Sequence, residues 1–111
     1  METTRQQKVA RLLQKELADI LQVEARNIAA GLITVTAVDI SKDFSFARIY
    51  LSIFGVSDKQ LILNELNNHK KELRFKLGKR IKHQLRIVPE INFLLDETLD
   101  YIENIDNLLK Q

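Results

Sequence analysis

Apolar residues along this chain follow two rhythms, and the switches between them mark its elements. Val9, Leu12, Leu13, Leu17, Ile20 and Leu21 recur at three- and four-residue steps, with Arg5, Lys8, Arg11, Lys15 and Asp19 mostly between them. That spacing predicts an amphipathic helix with one buried stripe. Thr3 or Thr4 is a candidate cap, since each has a glutamine three residues on, Gln6 or Gln7, the spacing at which the two side chains satisfy each other's free backbone groups. The helix is expected to fade near Arg26 to Asn27, and Gly31 punctuates the loop. LITVTAVDI, from Leu32 to Ile40, is rich in β-branched residues and reads as a strand with Ile33, Val35 and Ala37 on one face.

The second rhythm continues after SKDFS, Ser41 to Ser45, a polar connection without glycine whose Ser and Asp side chains can bond the local backbone. Ala47, Ile49, Leu51 and Ile53 alternate with Arg48, Tyr50 and Ser52, a strand with one buried face. So short a connection implies an antiparallel hairpin. Gly55 ends the strand, and Ser57 with Gln60 has capping-box spacing for a second helix through Leu61, Ile62 and Leu66.

On one continuous helix, Leu66, Leu73, Leu77, Ile81 and Leu85 would form an apolar arc, with Lys71, Lys79, Lys82 and Arg86 on the other side. Lys70 and Arg74 would then point into the arc. Two buried cations without paired acids are too costly, so a break is expected between Asn67 and Arg74, in the weak helix formers of NNHKK. Gly78 lies inside the second of the two helices, which signals a close contact there. Ile91, Phe93 and Leu95 then alternate with Glu90, Asn92 and Leu94, a third strand with Pro89 at its start. Leu99, Ile102, Ile105, Leu108 and Leu109 predict a short C-terminal helix with an acidic outer face. The order is α-β-β-α-α-β plus that helix, an α+β layer with helices on one face of a three-stranded sheet. If the second and third strands are parallel, their two-helix link forms a crossover.

At 111 residues and 45% hydrophobic content, the chain is expected to be one domain spanning residues 1–111. The absence of cysteine removes disulfides and thiolate chemistry. No apolar run approaches the ~18 residues of a membrane span, and the first residues lack a signal-peptide core, so a cytoplasmic protein is expected.

Charge changes the picture more than composition does. The net charge is only +2, yet Lys70 to Arg86 holds eight of the 17 Lys and Arg residues and one acid, Glu72. From Glu90 to Asp106 there are six acids and no Lys or Arg. Like charges at helical neighbour spacing repel unless solvent, salt or an anionic partner relieves them, and RNA is the expected partner. Lys70, Lys71, Arg74, Lys79, Lys82 and Arg86 are the candidate phosphate contacts, with Lys76 and Arg80, which project toward the flanks, as second choices. Phe75 is the one stacking aromatic in the segment. A solvated basic surface is the competing reading of the same pattern.

Other features carry less. His69 and His83 lack neighbouring carboxylates or thiolates at metal-binding spacing and read as hinge and surface residues. Asp39 and Asp43 flank the hairpin and read as turn residues rather than a catalytic pair. Phe44 and Phe46 read as core beside a strand rather than as base-stacking groups, and Tyr50 lies on the polar face of the second strand. No nucleophile sits beside a base and no glycine loop can cradle phosphate, so an enzyme is not expected. Neither metal nor cofactor is expected. A dimer formed through the first helix stays open as an alternative.

The segments SKDFSFARIYLSIFG (Ser41 to Gly55) and ELRFKLGKRIKHQLRIVPEINFLLDETL (Glu72 to Leu99) resemble ribosome-binding factor A, a bacterial assembly-factor family with a type II KH-like fold. LGKRI followed by LRIVPEINFLLD is the most specific part, and the resemblance spans nearly the whole chain. It implies a non-catalytic RNA-binding protein that associates with the free 30S subunit, assists maturation of 16S ribosomal RNA and matters in the cold. A monomer is expected, with ribosomal proteins or an assembly GTPase as further partners. The three glycines, Gly31, Gly55 and Gly78, are too far apart for the GxxG loop of an ordinary KH module. In the family a kink replaces that loop, commonly with alanine, any residue and glycine. His69, Lys70 and Lys71 stand at those positions here, so the small motif is missing and side chains are expected to grip phosphate.

Overall fold

The computed structural model describes residues 3–28 and 32–96, the side chains of 25–28 excepted. Six elements run in the order α1 (Thr4–Ile28), β1 (Leu32–Ile40), β2 (Phe46–Phe54), α2 (Lys59–Asn68), α3 (Lys70–Ile81) and β3 (Glu90–Leu95). The strands form one sheet in the order β1-β2-β3. β1 and β2 are antiparallel, while β2 and β3 are parallel. This is the α+β arrangement and the KH-like order expected above; the C-terminal helix proposed there lies outside the described residues.

All three helices share one core with one face of the sheet. Leu13, Leu17 and Leu21 of α1, Leu66 of α2 and Leu73, Leu77 and Ile81 of α3 meet Ile49, Leu51 and Ile53 of β2 and Phe93 of β3, each at most 1% exposed. Among the described residues the apolar stripe of α1 is therefore spent inside the chain. The expected capping box of α1 is present: the Gln6 amide N–H donates to Thr3 Oγ1 at 3.1 Å and the Thr3 N–H donates to Gln6 Oε1 at 2.9 Å.

Two local expectations are corrected. The pairing of β1 with β2 shifts between Val35 and Ala37, and this bulge flips the side-chain phase. Val35 points inward as expected, but Ala37 is exposed, and Val38 and Ile40, opposite Ile49 and Ala47, take the inward positions instead. In the second case α2 is capped by Asp58 rather than Ser57, with the Leu61 N–H donating to Asp58 Oδ1 at 3.1 Å.

The hairpin turns without glycine because Asp43 organises it. Its Oδ1 accepts from Ser41 Oγ at 2.8 Å, from Ser45 Oγ at 2.6 Å and from the Ser45 N–H at 3.1 Å. Phe44 takes a left-handed φ of 61°, and the Arg5 guanidinium lies 5.2 Å from its ring centre. Glycine is used where the chain leaves β2, at Gly55 with φ 83°. Asp39, across from Arg48 in the ladder, is paired with it at 3.1 Å.

The expected break falls on one residue, His69, between α2 and α3. Its N–H donates to both Glu65 O and Leu66 O, at 3.2 and 3.1 Å, and its ring Nδ1 lies 2.8 Å from Glu65 O. Next to it, Asn67 fastens α2 to β3 as a strand neighbour would. Its Nδ2 donates to Phe93 O at 3.1 Å, and its Oδ1 accepts from the Phe93 N–H at 3.0 Å. The basic helix is shorter than expected: α3 stops at Ile81, Lys82 caps it, and Leu85 and Arg86 belong to the connection that leads to the buried Pro89 and β3.

Asn67→Ala leaves both Phe93 backbone groups without partners and is expected to cost about 2 kcal/mol in urea unfolding. Asn68→Ala, at an exposed position, is expected to stay within about 0.5 kcal/mol; equal effects would contradict the fastening role. Hydrogen bonds from Ser45 and Ser41 lower the Asp43 carboxyl from 3.8 to about 2. Its folded value is depressed, so its contribution to stability is present above the unfolded value and lost as pH falls through the folded one. An NMR titration is expected to place the Asp43 midpoint near 2, and an ordinary carboxylate midpoint would contradict the turn geometry.

Candidate nucleic-acid interface

α3 is amphipathic because its two faces answer to different neighbours. Leu73, Leu77 and Ile81 are at most 1% exposed and contribute about 1.5–3 kcal/mol each by burial. Glu72 in the first turn and Lys79 and Arg80 in the last suit the helix dipole. The packing of the buried ridge sets the directions in which the remaining side chains project.

The cations of the segment divide into two groups. Lys76 bonds to Glu24 of α1 and lies 3.4 Å from Glu72. The hydrogen bond to Glu24 raises its pKa, so its contribution is present below the ordinary lysine value and lost at higher pH. Arg80 lies 3.3 Å from Glu16 and 3.6 Å from Asp19. These two second-choice candidates thus tie α3 to the acidic side of α1.

The other group lines the outer side of α3, with Lys79 also bordering α1 at Ile20, Val23 and Glu24. Lys71, Arg74, Lys79 and Lys82 line one groove of about 570 Å³. Phe75 forms its wall, 64% exposed, with the Lys79 ammonium 4.7 Å from the ring centre. Gly78 and Val88 form the floor. A Cβ on Gly78 would stand 3.1 Å from Val88 Cγ2, so the glycine marks a close approach of the α3–β3 connection. No carboxylate lines this groove among the described residues.

A smaller groove of about 200 Å³ adjoins it, sharing Lys71 and Arg74 and adding Lys70, Phe46, Glu90 and Ile91. Phe46, expected in the core, is 38% exposed there. Arg74 also has a structural task. Its Nη2 donates to Val88 O at 2.7 Å and its Nε to Pro89 O at 3.1 Å, which escapes the buried placement that a continuous helix would have imposed. Arg86 is exposed in the connection and lines neither groove.

The sequence pointed to Lys71, Arg74, Lys79 and Lys82 but missed the floor. Val88 comes from an irregular connection whose path no periodicity reports. Phe75 was detectable as an apolar residue out of phase with the arc, one turn from both Lys71 and Lys79. Among the described residues no three His, Cys, Asp or Glu side chains converge on a metal-sized site, and no helix is long and apolar enough to cross a membrane.

Known proteins place the chain in a family. A model of the family described as ribosome-binding factor A matches residues 5–109. The ribosome-binding factor A of Cytophaga hutchinsonii is 49% identical over 112 residues, covering 100% of this chain and 84% of that protein. The crystal structure of ribosome-binding factor A from Thermus thermophilus superposes with a TM-score of 0.70 at 27% identity, covering 81% of this chain and 94% of that one. A homology model of the Thermus thermophilus factor, fitted into a cryo-electron-microscopy map of its complex with 30S, gives a TM-score of 0.61 at 29% identity over 77% of this chain and 88% of that one. The chain belongs to the ribosome-binding factor A family.

Proposed function

We propose that this protein binds the free 30S subunit through its ribosomal RNA and assists late maturation of the particle, including processing of 16S ribosomal RNA. In this reading residues 1–111 act as one RNA-binding unit, a cytoplasmic monomer without catalytic activity or cofactor, needed most in the cold. Ribosomal proteins or an assembly GTPase are its further partners. The observation that carries the reading is the groove on the outer face of α3, with four cations and, among the described residues, no carboxylate in its lining. Family membership adds the particle, since a relative has been fitted into a map of a 30S complex.

The mechanism follows from the chemistry of the partner. Cations against an RNA backbone release condensed counterions, a gain that does not depend on sequence and falls with salt. Lys71, Lys79 and Lys82 supply that gain directly. Arg74 supplies it while its guanidinium also braces the α3–β3 connection. Specificity then rests on the shape of the ribosomal RNA site, because side chains cannot read the deep, narrow major groove of A-form RNA. Lys70 extends the positive surface from the adjoining groove, whereas Lys76, Arg80 and Arg86 lie outside the contact.

Co-sedimentation is expected to find the protein with free small subunits and not with complete ribosomes. Replacing Lys71, Lys79 and Lys82 together by glutamine is expected to flatten the dependence of log affinity on log salt by about two units, at roughly 0.7 per phosphate contact. Each change is expected to alter stability by no more than about 0.5 kcal/mol. An unchanged salt slope would assign the contact to another face.

A further inference from the structure

We propose that the groove on α3 takes an unpaired nucleotide, with its base laid against Phe75 and its phosphate held by the surrounding cations. This rests on the reading of the α3 face as the RNA contact and specifies what that face recognises: a single-stranded or extruded base rather than a duplex backbone alone.

The groove combines three properties. Its volume, about 570 Å³, lies within the range of small-molecule sites. Its wall is an aromatic ring that the fold leaves 64% exposed. Its lining includes Lys71, Arg74, Lys79 and Lys82 and, among the described residues, no carboxylate. Isolated exposed apolar residues such as Val23 and Leu61 are ordinary on protein surfaces. Phe75 differs from them in standing one turn from a lysine on either side, inside a basic concavity.

Every base offers a π-face, so an aromatic platform beside phosphate-binding cations holds single strands with little sequence preference. Lys79 lies over the Phe75 ring, where its ammonium is attracted by the ring quadrupole; a base stacking on that face displaces the ammonium, whose flexible side chain leaves it within reach of the nucleotide's phosphate. Gly78 lets Val88 approach α3 closely, so an apolar side chain shares the lining with Phe75 and offers the base a second apolar contact. The smaller groove is less suited to the phosphate because Glu90 shares its lining. This arrangement uses side chains where an ordinary KH module uses the close backbone approach of a glycine loop.

The test compares a short single-stranded RNA with an abasic strand of equal length by fluorescence anisotropy at fixed salt. The unaltered protein is expected to bind the base-bearing strand roughly 5- to 150-fold more tightly, the range for one aromatic stack. Phe75→Leu is expected to abolish that preference while leaving the salt slope unchanged, and Phe75→Trp to keep it. A 2-aminopurine in the strand is expected to be quenched by the unaltered protein and not by Phe75→Leu. If Phe75→Leu prefers the base-bearing strand as strongly as the unaltered protein, stacking on Phe75 is overturned and the RNA reading stands. If neither strand nor the small subunit binds in a salt-dependent way, both fall.

Discussion

The fold depends on the burial of one ridge of α3. Leu73, Leu77 and Ile81 are sealed against β2, β3 and α1, and an α-helix that buries one stripe must present the opposite one. The same packing that contributes to stability therefore fixes the outward direction of the cations. One change of helix axis makes this possible. Without the break at His69, Lys70 and Arg74 would share the face of the buried leucines. With it, Lys70 reaches solvent and Arg74 reaches the carbonyls of Val88 and Pro89.

Charge on α3 is sorted by neighbour. On the α1 side, Lys76 and Arg80 are matched by Glu24, Glu16 and Asp19. These are partly exposed pairs of modest energy, and their main consequence is to remove two cations from the field of the outer face. On the far side, repulsion among Lys71, Arg74, Lys79 and Lys82 costs a few tenths of a kcal/mol per neighbouring pair and is relieved in full only by an anion. Lys76 and Arg80 thus serve contacts within the domain, Lys71, Lys79 and Lys82 line the outer groove, and Arg74 does both.

The elements that rest on periodicity were legible in the sequence. The stripe of α1, the alternation of β2 and β3 and the break before α3 follow from apolar spacing and from the cost of burying Lys70 and Arg74. Irregular backbone was not legible. A one-residue bulge in β1 exchanges Ala37 for Val38 on the core face and brings Ile40 there after it, and no composition signal marks it. The helix ends at Ile81 although Lys82 to Arg86 continue the apolar and basic pattern, because the chain must turn to bring Pro89 and β3 alongside β2. Four of the groove's cations were named from spacing. Its floor was hidden because Gly78 and Val88 meet only in three dimensions, and Phe46 emerged beside the cations only once β2 and α3 were placed together.

Site-specific photo-crosslinking on free small subunits distinguishes the outer face of α3 from the rest of the surface as the proposed contact for ribosomal RNA. A photoreactive residue at position 82, on the rim of the groove, is expected to crosslink to 16S ribosomal RNA, and one at position 48, on the open face of the sheet, is not. Crosslinks that form from position 48 and not from position 82 would contradict the account.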